Sequence, residues 1–170
     1  MGKSGYLLRR IRARVANRPT GFIWVKPSQL AASGYPSSKK QIIWARGQGV
    51  ARILTLTEAP LPEDWTDGVE ARHVAMKDHQ PPSYDALMEA SSYIADSISN
   101  GRPILVHCLA GQGRTMCAIA AHLIRDGMGL GEALVYLRGL RPGAVERSQE
   151  SALREFASRI ARSRESDSAG

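Results

Sequence analysis

Pro103-Ile104-Leu105-Val106-His107-Cys108-Leu109-Ala110-Gly111-Gln112-Gly113-Arg114-Thr115 is the stretch from which the rest of the chain can be read. The run after Pro103 is short and wholly apolar, as a strand buried on both faces should be. Glycines at 111 and 113 mark a turn. Residues 113–125 then read as a helix that stops at Asp126-Gly127. Strand, glycine turn and helix in immediate succession place this segment in an α/β sheet.

The turn sets a cysteine at the end of a strand and, after five intervening residues, an arginine at the start of a helix. Gly111 and Gly113 allow the φ values and close approach by which backbone N–H groups line an oxyanion cradle. The helix N-terminus adds the positive end of its dipole. Arg114 can fork two N–H donors onto two phosphate oxygens, a geometry lysine cannot match. Helix N-termini and neighbouring cations also favour a thiolate, which makes Cys108 the candidate nucleophile. Thr115 is placed to donate its hydroxyl to that sulfur and help it leave. Leu109, Ala110, Gly111, Gln112, Gly113 and Arg114 form the expected substrate-binding loop. His107 suits fixing the loop better than acting as a base. The charge pattern agrees: no acid lies between Asp96 and Asp126, where Arg102, Arg114 and Arg125 stand. A chance His-Cys-x-x-Gly-x-x-Arg-Ser/Thr match in a chain of this composition is on the order of one in twenty thousand. That outweighs reading Cys108 as a buried apolar residue and Arg114 as a surface charge. Cys117 lacks such company and reads as a packed core thiol.

Working outward, residues 22–25 and 52–57 read as strands and 69–76 as a third. Residues 41–44 fall on a helix that stops near Gly47 and Gly49. Residues 59–68 and 77–82 are loops by their prolines. Ser83 can cap a helix through Leu87, Ala90, Ile94 and Ile98 to Asn100-Gly101. Helices also fit 131–140 and 147–161. The alternation predicts one α/β domain at 21–162, with a mostly parallel central sheet of about four to five strands flanked by helices. Residues 163–170 are small and polar and are expected to be disordered.

The chain has 170 residues, two cysteines and a net charge of +7. That length suits one domain with a core of its own. The cysteine count rules out a disulfide-dense secreted scaffold and points to a reducing, cytoplasmic setting. No apolar stretch approaches the roughly 20 residues of a membrane span. Residues 1–57 carry 11 Lys plus Arg and no acid, Glu58 being the first. Residues 1–20 thus form a basic arm: a transit peptide, a contact for an acidic partner or nucleic acid, or a helix packed by Leu7, Leu8, Ile11 and Val15. The packed helix is the preferred reading. The histidines at 73, 79, 107 and 122 show no metal-ligand spacing, so no metal or cofactor is expected, and a monomer is.

The stretch 107–115 resembles the signature loop of cysteine-dependent protein tyrosine and dual-specificity phosphatases. The likeness runs over 21–156. Residues 24–31, 54–58 and 140–146 are similar to small atypical dual-specificity phosphatases, especially archaeal ones. The resemblance implies the cysteine-phosphatase fold and a phosphocysteine intermediate. It also implies an acid loop about thirty residues before the cysteine, which makes Asp78, in Lys77-Asp78-His79-Gln80-Pro81-Pro82, the general acid and then the base for water. His79 reads as a surface imidazole. Three positions depart from the family pattern: Lys77 replaces a proline, Met116 a glycine, and Gln149 stands one residue earlier than the water-positioning glutamine of relatives. Gln149 is therefore open between that role and a helix-surface amide.

The resemblance implies hydrolysis of phosphotyrosine, and of phosphoserine and phosphothreonine through a shallow pocket, in phosphoprotein substrates. Phosphoinositide phosphatases of the superfamily often carry loop lysines, where this chain has Leu109 and Gln112. The same scaffold also serves RNA 5′-triphosphatases, and a loop of this kind can hold phosphate as a non-catalytic binding module.

Overall fold

The computed structural model describes residues 17–168. The helix expected in the basic arm lies, through residue 16, outside the described residues. The elements in chain order are β1 (Ile23–Lys26), β2 (Leu30–Ser33), α1 (Lys39–Gly47), β3 (Arg52–Thr55), a single 3-10 turn (Glu63–Trp65), β4 (Glu70–His73), α2 (Tyr84–Ser99), β5 (Ile104–His107), α3 (Gly113–Arg125), α4 (Leu130–Leu140) and α5 (Arg147–Ser168).

The five strands lie in the order β1-β2-β5-β3-β4. β1 and β2 pair antiparallel, and the other three pairings are parallel. The expected mostly parallel sheet is therefore the one observed. Helices cover both of its faces, and side chains sort by the two-residue period of a strand. Leu30, Ala32, Leu54, Ile104 and Val106 enter one core with residues of α2, α3, α4 and α5. Ala31, Ile53 and Leu105 enter the other with Phe22, Ile42, Ala45 and Leu61. Burial on both faces explains why β5 has no polar residue before His107.

In-register pairing brings the last residues of β2, β5 and β3, namely Ser33, His107 and Thr55, side by side. In open α/β sheets this carboxyl edge is where ligands bind. Helix α3 starts there and runs back through the larger core with every residue from Arg114 to Ile124 buried. Ala118, Ala120 and Ala121 let it pack closely against α2, α4 and α5.

Three elements differ from the sequence expectation. Strand β2 is not evident in the sequence, because Leu-Ala-Ala-Ser has little β-propensity of its own; its neighbours on both sides supply the pairing. The segment 18–20 joins the domain: the Arg18 guanidinium donates to the Phe22 carbonyl, and Thr20 O accepts from Gly34 N–H at 2.8 Å. The expectation of a disordered tail from residue 163 is corrected for 163–168, where α5 continues. Arg164 ties that extension to α3 by donating to the carbonyls of Ile124 and Arg125, contacts that no local composition reveals.

Candidate active site

Cys108 follows directly on the last residue of β5 and is 3% exposed. Its Sγ accepts the N–H of Gly111 at 3.2 Å. Gly111 has φ +70, and a Cβ there would run into the Ser33 carbonyl and the Arg141 guanidinium. At Gly113 a Cβ would meet the Gln149 amide, 2.8 Å from Nε2. Gly111 is thus required twice, by its positive φ and by its neighbours Ser33 and Arg141, whereas Gly113, the first residue of α3, is required by the packing of Gln149 against it. Leu109 and Ala110 are exposed at the loop's mouth, and Gln112 precedes the first turn of α3.

Arg114 is 1% exposed and is held by acceptors from two other loops. Its Nη1 donates to Glu58 Oε2 at 2.9 Å and to the Met76 carbonyl at 3.0 Å. Its Nη2 lies 2.9 Å from Asp78 Oδ1. Nε is buried without a partner. A buried guanidinium gains from carboxylate partners and keeps its fork fixed by them.

Glu58 carries no signal of a role in the sequence. It stands just past the carboxyl end of β3, and its two oxygens bridge the site: Oε1 accepts the Asp78 N–H at 2.9 Å, and Oε2 accepts from Arg114. Backbone N–H donors, its own and that of Asp78, followed by Arg114, bring its carboxyl down to about 2. Glu58 therefore holds the acid loop and the arginine in one register. With Asp78 N–H so anchored, the loop is positioned although Lys77 replaces proline.

Asp78 is the sequence-predicted acid that the structure brings to Arg114. His79 is exposed, with φ +55, and its Nδ1 lies 3.2 Å from Glu146 Oε1. Thr115 is buried beside the cysteine loop, but its Oγ1 makes no hydrogen bond. The donation from Thr115 to the Cys108 sulfur expected from sequence is thus not formed in this structure. Met116 is fully buried in the larger core, where the flexible thioether is accommodated. Cys117 is buried too, and burial pushes its thiol up; both cysteines are free. Gln149 is 1% exposed, and its Oε1 accepts the Glu146 N–H at 3.1 Å. It abuts Gly113, so the helix-surface reading of this residue is excluded. Among the described residues no group of three or more His, Cys, Asp or Glu is placed to hold a metal ion.

His107 lies beneath the loop, fully buried, with Nε2 2.9 Å from Thr55 Oγ1 and its ring edge-on to Tyr35. Burial brings it down to about 4, so it is neutral at pH 7. His122, in α3, is likewise brought down to about 4 by burial, with Lys26 adding to the effect. Below the ordinary histidine value near 6.5 the unfolded chain takes up protons that the folded chain refuses. Stability should therefore fall between about pH 6.5 and 4, by up to about 3 kcal/mol per histidine. Glu58 adds a further loss only below about pH 4.5, as it is protonated toward its value of about 2. Urea midpoints measured across pH 7 to 4 check this; a flat profile above pH 5 would contradict it.

Residues 35–128, more than half of the chain, match the family described as Tc-R-P: Polymorphic toxin system, DSP-PTPase phosphatase. The chain is 48% identical over 54 residues to the tyrosine-protein phosphatase CDC14 of Candida albicans, covering 31% of this chain and 10% of that protein. It is 30% identical over 94 residues to a probable protein tyrosine phosphatase type IVA B of Dictyostelium discoideum, covering 53% of this chain and 58% of that one. This chain thus spans less than two thirds of the length of either relative. The crystal structure of Tk-PTP in its G95A mutant form superposes with a TM-score of 0.74 at 31% identity, covering 82% of this chain and 96% of that one. By family match, fold and aligned sequence, the chain belongs to the DSP-PTPase family of dual-specificity and protein tyrosine phosphatases.

Proposed function

We propose that the chain hydrolyses phosphotyrosine, and phosphoserine and phosphothreonine, in phosphoprotein substrates through a phosphocysteine intermediate. The observation that carries this reading is the Cys108 sulfur taking the Gly111 N–H of its own loop, with the buried guanidinium of Arg114 on the first turn of the helix into which that loop leads. The dianion sits in the cradle of loop amides and takes two oxygens onto the Arg114 fork, where the unpartnered Nε gains an acceptor. The Cys108 thiolate attacks phosphorus, the P–O ester bond breaks, and its electron pair leaves on the substrate oxygen. Asp78 gives that oxygen its proton. Water then attacks the phosphocysteine, Asp78 takes a proton from it, and the P–S bond breaks with its electrons returning to sulfur, where the Thr115 hydroxyl can donate. Because Asp78 shares Nη2 of Arg114 in this structure, a bound dianion competes for that donor and frees the carboxyl for the leaving group. Gln149, against Gly113, is suited to hold the attacking water.

Dual specificity is supported by the family's own description and by the modest Leu109 and Ala110 side chains exposed at the mouth. The free cysteines agree with a reducing, cytoplasmic setting. The purified chain in EDTA should hydrolyse p-nitrophenyl phosphate and a phosphotyrosine peptide. A preference for triphosphate-ended RNA or an inositol lipid would replace the substrate assignment, and tight phosphopeptide binding without hydrolysis would overturn catalysis.

The acid role of Asp78 has its own signature. Asp78→Asn should lower kcat by about 10²-fold for phenyl phosphate, whose leaving group needs a proton, and only a few-fold for p-nitrophenyl phosphate. Equal losses on the two esters would remove Asp78 from that role.

A further inference from the structure

The loop that would cradle the anion has its carbonyl oxygens held from outside. Leu109 O accepts the Tyr35 N–H at 3.1 Å, and Gln112 O accepts the Val145 N–H at 3.4 Å. Between them, Gly111 O accepts from Nη1 of Arg141. A trans peptide sets its C=O and the following N–H on opposite sides. Holding these three carbonyls outward therefore turns the N–H groups of Ala110, Gln112 and Gly113 toward the interior of the loop.

Two of the three clamps are backbone to backbone. The third is a side chain, and it acts where the loop is weakest. Gly111 has no Cβ, so its neighbouring peptide planes meet little intrinsic resistance to rotation. A flipped Gly111–Gln112 peptide would put a carbonyl oxygen, rather than an N–H, against the bound dianion. Arg141 opposes the flip from a fixed base. It follows α4 in extended conformation, its N–H is bonded to Leu137 O at 2.9 Å, and its Nη2 donates to the carbonyl of Gly21 ahead of β1. The guanidinium spans two separate parts of the domain, which a lysine's single ammonium cannot do. Burial lowers its pKa, while Cys108 opposes that shift, so it also adds positive charge near the sulfur.

We propose that Arg141 is a positioning residue that locks the Gly111–Gln112 peptide with its carbonyl outward and the Gln112 N–H aimed into the anion cradle. The inference rests on the phosphatase reading of the same loop. It deepens that reading by making the cradle competent before substrate arrives.

The test uses the full chain, with orthovanadate as the probe and Arg141→Met, Arg141→Lys and Arg141→Ala as variants. Arg141→Met should bind orthovanadate about 10- to 100-fold more weakly, with a parallel loss in kcat/KM. Arg141→Lys should fall between Met and wild type. Low millimolar guanidinium should restore part of the affinity to Arg141→Ala and none to wild type. In wild type, the Gln112 amide resonance should shift on adding orthovanadate, and in the variants that shift should shrink. Variants with full orthovanadate affinity and only a lower Tm would overturn the proposal. So would a Gln112 amide in wild type that does not respond to orthovanadate, a measurement that stands even if every variant fails to fold. Wild type that binds orthovanadate without turning over any phosphoester would sink the phosphatase reading and leave the Arg141 result standing.

Discussion

Cys108→Ser should leave the protein folded and its turnover of p-nitrophenyl phosphate lower by on the order of 10⁵-fold. Serine replaces sulfur by oxygen at nearly the same volume in a position only 3% exposed, so packing changes little. What changes is the nucleophile. A serine hydroxyl stays protonated at neutral pH and is a far weaker nucleophile than sulfur. The Gly111 N–H, which lies 3.2 Å from the sulfur, can still bond to the serine oxygen. Orthophosphate should accordingly continue to bind while turnover stops. Calorimetric titration with phosphate and a p-nitrophenolate assay separate these outcomes. Turnover within tenfold of wild type would exclude covalent catalysis through residue 108.

Arg114→Lys should cost about 10³-fold in kcat/KM while the net charge is unchanged. The reason lies in the number of groups that meet on this one side chain. Nη1 serves Glu58 and the Met76 carbonyl, Nη2 serves Asp78, and Nε is buried with no partner of its own. An ammonium cannot reach the three acceptors and a dianion together. Two carboxylates would lose the fork whose separate nitrogens they share, and the acid loop would lose its tie to the start of α3. The loss should appear in both KM and kcat, since the fork holds the ground state and the more dissociated transition state. A variant with wild-type kcat and a raised KM alone would show that Arg114 only binds.

Much of the site was legible because its central geometry is local. Strand end, nucleophile, glycine turn, helix start and arginine are consecutive residues, so one short segment determines their mutual placement. Asp78 was legible by a different route, through its distance from the cysteine and the resemblance of its loop. Glu58 and Arg141 were not. Glu58 reaches Arg114 from 56 residues away, and Arg141 reaches Gly111 from 30. Neither spacing is periodic, and each residue by itself reads as an ordinary charged side chain. Gln149 stayed undecided for the same reason, since only the packing of α5 against Gly113 removes it from the surface.

The amino-acid order by itself determined the β5–turn–α3 unit, the α/β class and the candidate nucleophile with its arginine. Those features follow from backbone preferences and from contacts between near neighbours. The tertiary structure alone decided that Leu30–Ser33 is a strand and that α5 runs on to Ser168. It alone likewise decided that the Thr115 hydroxyl makes no bond to the sulfur, that Glu58 holds Arg114 and the Asp78 loop, and that Arg141 holds the Gly111 carbonyl. These are contacts between distant segments, whose free energy exists only once the sheet has brought their ends together.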